Sequence, residues 1–437
     1  MVELISVLDP EREANRGEEE DKSTDTPDDV VRRLLSYMDS IQTEHTSDDE
    51  QLGSVEGLKT EISDRILTHL RMLGYTIGSD GCPKLETQAK DRVRLVQREK
   101  KREQLLSQRR LLARNHELLL DSVANGWEIE PSKIEPELVE VKAGTEDGIL
   151  FRLLTMYWSV PVSGGYGRRM RFLVRDRQNN KVVGLFGITD PVFNLRVRDN
   201  WIGWTLEQKK RSLRNAMDVF VLGAIPPYSG LLGGKMICAL TTAREVREAY
   251  ERKYRGRRSI ISGRKHDARL LLLTTTSALG RSSLYDRVKL DGRLYFVPVG
   301  LTQGYGHFHI PANVFSAMRQ LLIELNHPYA KGNRFGNGPN WRMRVIRVAL
   351  QSCGLSPEIL RHQVGRESYM IPLAENTKEC LLDPGLQPDY YDDDVETIAG
   401  SAIRRWVIPR AARRPEFRHR RNWQILEDIL TGMGVGK

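Results

Sequence analysis

The sequence predicts a mixed α/β protein, with an N-terminal helical region, a body on a mixed central sheet, and an arginine-rich C-terminal extension. Three patterns carry that expectation. Apolar residues recur at helical spacing between about 58 and 124. From about 150 onward, short β-branched and aromatic runs alternate with helix-period stretches. Between 404 and 421, eight arginines (404, 405, 410, 413, 414, 418, 420 and 421) stand against the single Glu416.

Taken in order, residues 1–57 read as an acidic, largely disordered arm, with runs such as Glu18-Glu19-Glu20-Asp21 and few residues able to form a core. Within it, Asp28 or Asp29 is placed to cap a short amphipathic helix carrying Val30, Val31, Leu34, Leu35 and Met38, and Glu44 to Gly57 reads as a linker. Residues 58–149 form the helical region. Leu58, Ile62, Ile66, Leu70 and Leu73 predict one helix that stops at Gly74, and a long basic helix is expected over roughly 86–124. Residues 150–325 form the α/β core. Arg171–Asp176 and Val182–Ile188 predict a hairpin around the turn Gln178-Asn179-Asn180-Lys181. Thr205 caps a basic helix, and Met217 to Ile225 is a buried strand leading into Pro226-Pro227-Tyr228-Ser229-Gly230. A helix, whole or broken, follows from Leu231 to Lys253, then strands at Leu270–Thr275 and Leu294–Val299, with a Ser282-capped turn of helix between them. Residues 326–437 form the basic C-terminal region, with a glycine- and asparagine-rich loop at 332–340, a basic amphipathic helix from Trp341 to Ser352, an acidic patch, and the arginine-rich tail interleaved with Trp406, Phe417 and Trp423.

The charge balance narrows the function. Residues 1–60 carry 17 acidic and 6 basic side chains and residues 61–437 carry 41 and 61, so a −11 arm and a +20 body sum to +9. A basic body with an acidic arm is the asymmetry of a polyanion binder, nucleic acid foremost. No apolar run approaches the length of a membrane helix, and the start is acidic without a signal core, so a cytoplasmic protein is expected. Cys82, Cys238, Cys353 and Cys380 form no CxxC pair, which fits free thiols in a reducing compartment and offers no zinc framework. His307 and His309 alternate on an expected strand without a third ligand, so no metal is expected.

The element order from 151 to 300 resembles the core of GNAT-type N-acyltransferases. In that fold a central strand splays from its neighbour, and the following loop and helix N-terminus hold the coenzyme A pyrophosphate on backbone N–H groups. The corresponding loop here departs from the family pattern, with Gly230 where an Arg or Gln belongs and Lys235 where a small residue belongs. Coenzyme A is therefore the only cofactor the resemblance implies, and an enzymatic role stays open. A closer resemblance rests on six motifs in order: Trp158–Val174, Asp190-Pro-Val-Phe-Asn-Leu195, Arg198–Trp204, Gly223–Tyr228, Leu231-Leu-Gly-Gly-Lys235 and Thr274–Tyr285. These resemble the family of A components of Druantia anti-phage defence systems. That resemblance implies a place in a bacterial multi-protein defence locus that includes a large helicase-like partner.

The candidate residues follow from chemistry that grips phosphate. In the Gly164–Arg171 stretch, glycines permit close backbone approach, Arg168, Arg169 and Arg171 supply forked donors, and Tyr166 can stack on a base; the alternative is a tight turn with exposed arginines. Tyr228, Gly230, Gly233, Gly234 and Lys235 make a candidate anion or cofactor loop, against the alternative of a close helix–strand crossing. Arg281 with the hydroxyls around Thr274–Ser283 sits where a strand ends, and Tyr285 is a candidate general acid. Arg342 and Arg344 on the basic helix, and Arg404, Arg405, Arg413, Arg414 and Arg420 in the tail, complete the expected nucleic-acid contacts. The reading is a DNA-binding defence subunit; the rivals are a GNAT-like acyltransferase or nucleic-acid-modifying enzyme, and a protein scaffold within the defence complex.

Overall fold

The structure is a computed structural model and describes residues 26–44, 54–85, 90–258, 263, 268–302, 304–331 and 341–432. The expectations for the arm before residue 26, for most of the linker, and for the 332–340 loop lie outside the described residues. Helix α1 (Pro27–Glu44) is capped by Thr26 rather than by Asp28 or Asp29. The Asp29 N–H donates to Thr26 Oγ1 at 3.3 Å while the Thr26 N–H donates to Asp29 Oδ2 at 3.1 Å, a reciprocal box that satisfies two end donors. Helix α2 (Val55–Met72) buries the expected stripe Leu58, Ile62, Ile66 and Leu70, and its Ser54 cap accepts from the Gly57 N–H. A small hairpin, β1 (Tyr75–Ile77) and β2 (Pro83–Leu85), follows.

The single long helix expected over 86–124 is two: α3 (Lys90–Ser107) and α4 (Arg109–Ser122), broken at Gln108. A second kink falls at Asn115, whose backbone leaves helical geometry while its Nδ2 donates to the Leu111 carbonyl at 2.8 Å. An asparagine side chain competing with the helical ladder is the physical cause.

The α/β body begins with β3 (Pro136–Glu140) and α5 (Glu146–Leu154), then the expected hairpin β4 (Arg169–Asp176) and β5 (Lys181–Thr189), helices α6 (Arg196–Ile202) and α7 (Leu206–Ser212), and strand β6 (Ala216–Ala224). The broken helix resolves into α8 (Gly233–Leu240) and α9 (Arg244–Tyr254), followed by β7 (Leu272–Thr276), the two-residue pair β8 (Lys289–Leu290) and β9 (Arg293–Leu294), and β10 (Val297–Leu301). The strand expected over Leu294–Val299 is therefore split. Helices α10 (Ala312–Glu324) and α11 (Trp341–Ser352) precede β11 (Glu367–Pro372), which has no expectation from sequence; α12 (Thr377–Leu382), α13 (Val395–Ala402), α14 (Ile408–Arg413) and α15 (Gln424–Gly432) close the chain.

One seven-stranded mixed sheet, in the order β10-β11-β7-β6-β5-β4-β3, organises the body. All its neighbours are antiparallel except β6 and β7. That parallel pair is joined only at Ala216–Leu272, Met217–Leu273 and Asp218–Thr274, after which the strands diverge. Alternation along the strands sends side chains to two cores. Met170, Phe172 and Val174 face α8, α9 and the C-terminal segment, and Leu173 faces α1, α4, α5 and α15. Phe172 stacks on Phe186 at 4.8 Å between ring centres, each ring contributing about 2–3 kcal/mol by its burial. A third core joins α2 to α10 and α11, across more than half of the chain. No helix among the described residues is long and apolar enough to cross a membrane.

Candidate nucleic-acid interface and central cleft

The 164–171 stretch behaves mainly as a turn. Gly165 and Gly167 have φ of +69° and +61°, and a Cβ on Gly167 would lie 2.0 Å from Asp190 Oδ2. The glycines are needed because the loop wraps the end of β5, where the Tyr166 N–H donates to Thr189 Oγ1 at 2.7 Å. Arg168 is not available to phosphate. Its Nε meets Asp190 Oδ1 at 2.6 Å and its Nη1 donates to the Arg214 carbonyl at 2.7 Å, so it clamps the loop instead. Arg171 is half-buried over the Phe151 ring, while Arg169 and Tyr166 are exposed.

The Tyr228–Lys235 loop also departs from expectation. The N–H groups of residues 229 to 233 and of Lys235 all donate to carbonyls of the same segment, between Ile225 and Leu232. Tyr228 is buried and donates to Asp176 Oδ2 at 2.8 Å. A Cβ on Gly233 would lie 2.6 Å from the Tyr228 carbonyl oxygen, so this glycine serves a close crossing, whereas Gly234 faces Leu284. Gly230 offers its carbonyl to Arg410 Nε at 3.2 Å. A coenzyme A pyrophosphate needs a row of free amides, and this loop does not fit it.

The tail is not a loose extension. Its residues 403–407 form one π-type turn continuous with α13 and α14, and Trp406 and Phe417 are buried in the core beneath α8 and the sheet. These aromatic rings are therefore anchors, not stacking platforms for bases. Arg414 pairs with Glu416 and Arg420 with Asp428, which removes both from the expected phosphate contacts. Anchoring turns other cations outward. Arg404, Arg405 and Arg413 are exposed, as is Arg287 from the turn after Tyr285, and among the described residues none of the four forms an ion pair. Lys235 lies over the Trp406 ring at 5.5 Å. Burial, and then repulsion from Arg287, Arg405 and Arg410, hold its ammonium below the usual lysine range. Lys235, Arg287 and Arg405, from three distant parts of the chain, thus converge on one cationic patch.

A cleft of about 810 Å³ opens where β6 and β7 diverge, walled by α3, residues 158–166 and the loop after β7. Thr274 Oγ1 donates to Asp218 Oδ1 at 2.7 Å at the last paired position, and Thr275 Oγ1 donates to the Val219 carbonyl at 2.9 Å, so these hydroxyls tie the strands together instead of capping. Ser282 alone caps, accepting from the Tyr285 N–H. Burial pushes Asp218 up to about 6, so its carboxyl is poised to exchange a proton near neutral pH. Tyr285 lines the same cleft, but it is stacked on Phe296 and burial drives its hydroxyl far above the ordinary range, opposite to what an efficient proton donor needs. Arg281 is exposed at the mouth beside Glu367, 3.4 Å away. Arg344 is half-buried against Tyr329, and Arg342 points into a side chamber of the cleft. His307 and His309 sit in a turn, not a strand; His309 is buried with its Nε2 2.8 Å from the Ile359 carbonyl oxygen. Asp218 and Arg366 are cleft residues with no expectation from sequence. A lone carboxylate inside the apolar run Met217–Ile225 is the signal that marks Asp218; nothing in the sequence marks Arg366.

With that geometry in hand, comparison places the chain among known proteins. A model of the Druantia protein DruA family matches residues 87–383. The Druantia protein DruA of Escherichia coli (strain UMEA 4076-1) is 42% identical over 361 residues, which cover 82% of this chain and 89% of that protein. No solved structure matches the chain. A likeness of this extent, spanning the sheet, the cleft and the helices around them, makes the chain a member of the DruA family of Druantia proteins.

Proposed function

We propose that this chain is the nucleic-acid-binding component of a Druantia anti-phage defence assembly, that it binds DNA in the cytoplasm, and that it works beside a helicase-like partner. The observation that carries the reading is the gathering of Arg287 and Arg405 around Lys235, with Arg404 and Arg413 exposed on the same segment as Arg405. Among the described residues these cations form no ion pair, and burial together with repulsion from Arg287 and Arg405 lowers the Lys235 pKa, a cost that an external polyanion would offset. Filter binding at several salt concentrations tests it. If all five cations meet phosphates, the logarithm of affinity falls against the logarithm of salt with a slope of about −4.5 for duplex DNA. The double variant Arg404→Glu, Arg405→Glu should reduce that slope by about 2. A slope near zero, or one unmoved by the double variant, defeats the proposal.

One observation favours a second reading, an acyltransferase or nucleic-acid-modifying enzyme related to GNAT proteins. The parallel pair splays beside Asp218 and opens a cleft there. Since the α8 loop does not suit the pyrophosphate, coenzyme A would have to be held elsewhere in the cleft. A rise in melting temperature with millimolar coenzyme A supports this reading, and no rise removes it.

A further inference from the structure

The cleft continues into a side chamber of about 350 Å³, and Lys100, Phe308 and Arg366 line both spaces. Two half-buried guanidinium groups line the side chamber, each with a shielded Nε that finds no hydrogen-bond partner among the described residues. Arg366 forms no side-chain hydrogen bond or ion pair among the described residues, and its Nε is shielded from solvent and unsatisfied. The Phe308 ring lies 5.2 Å from its Cζ. Arg342 lies 4.1 Å over the Phe315 ring; its Nε is likewise shielded and unsatisfied, and its one side-chain hydrogen bond among the described residues is a long 3.4 Å contact to the Ile310 carbonyl. Among the described residues the carboxylate that acts on Arg342 is Glu103, which already binds Lys100 and accepts from the Ala312 N–H at 2.8 Å.

The histidines do not compensate these charges. Burial, with repulsion from Arg342 and Lys100, lowers His307 to about 4, and His362 falls to about 2 for the same first reason. Both rings are neutral at physiological pH. An uncompensated half-buried guanidinium destabilises a fold, and its retention in a cavity points to an anion that enters and pairs with it. The rest of the cleft describes the remainder of that ligand. Trp158 and Phe220 offer flat apolar rings beside Leu222, and Asp218 and Thr276 offer polar groups suited to ring nitrogens and hydroxyls.

We infer that the cleft is a binding site for a nucleoside phosphate, with the phosphate held by Arg366 and Arg342 in the side chamber and the nucleoside lying between the diverging strands. The site is separate from the cationic patch, so its failure would leave the DNA-binding proposal standing. Thermal unfolding of the full chain with ATP, AMP, adenosine and inorganic phosphate as probes tests it. ATP or AMP at about 5 mM should raise the melting temperature, and adenosine should not. Arg366→Gln should weaken nucleotide binding by roughly ten- to a hundredfold, the usual worth of a charge-assisted hydrogen-bond pair. The same variant should also raise the ligand-free melting temperature, because it removes a half-buried charge that lacks an ion-pair partner among the described residues; Arg342→Gln should repeat both effects, and DNA affinity should stay unchanged. A purely structural arginine behaves in the opposite way, so a fall in the ligand-free melting temperature of both variants overturns the inference. An absent response to both nucleotides, or an equal response in Arg366→Gln, overturns it as well.

Discussion

Lys101 offers a sharp test of the electrostatics on which these readings rest. It lies on the buried stripe of α3 with Val93, Gln97 and Leu105, is 1% exposed, and has one hydrogen bond, from Nζ to the Met156 carbonyl at 3.0 Å. Burial lowers its pKa from 10.5 to about 7. The unfolded chain keeps the proton up to the ordinary lysine value, whereas the folded chain releases it near 7. Between those values the unfolded state binds more protons, so stability rises with pH across that window and is flat below it. The gap corresponds to about 5 kcal/mol between a charged and a permanently neutral side chain. Lys101→Met removes that burden but leaves the Met156 carbonyl without its donor, which costs about 1–3 kcal/mol. The variant should therefore be more stable than the wild type by about 2–4 kcal/mol near neutral pH, with the advantage gone or reversed by about pH 10. Urea unfolding of both proteins at the two pH values measures it, and other titrating groups cancel in the difference. A difference that does not change with pH would refute the reasoning.

Three further outcomes follow from the same structure. Asp218→Asn should stabilise the protein at about pH 8 by up to roughly 3 kcal/mol and have little effect near pH 4, because the cost of the raised carboxyl builds as pH climbs from the ordinary 3.8 to the folded value of about 6 and is constant above it; melting temperatures at the two pH values check it. Gly126→Ala should cost about 2–4 kcal/mol and expose the 414–421 arginines to trypsin, because a Cβ there would lie 1.9 Å from the Phe417 carbonyl oxygen and displace the bond from the Gly126 N–H to the Arg420 carbonyl. Deleting residues 1–25, which hold nine acidic and three basic side chains, should strengthen DNA binding severalfold at low salt by removing a competing polyanion; filter binding reads the change. The deletion should stop there, since Val30, Leu34 and Met38 of α1 belong to the core shared with α4 and α15.

Much of the local structure is legible in the order of residues alone. The leucine and isoleucine stripe of α2, the Asn-Asn turn between β4 and β5, the Thr205 cap and the basic α11 all rest on short-range pattern and capping chemistry, which act within a few residues. The charge asymmetry and the family motifs are likewise properties of the chain. Strands β3 and β11 are not legible: one opens on Pro136, the other ends on Pro372, and each becomes a strand only because a neighbour offers a ladder. The arginine-rich segment shows the same division for function. Composition marks it as a polyanion binder, but burial of Trp406 and Phe417, and pairing of Arg414 and Arg420, leave Arg404, Arg405 and Arg413 exposed and bring Arg405 beside Lys235, which Arg287 also approaches. Arg366 and Arg342, far apart in sequence from the strands that frame the cleft, meet it only through packing. Which charges are answered and which are left open depends on long-range contacts, and those exist only once the chain has folded.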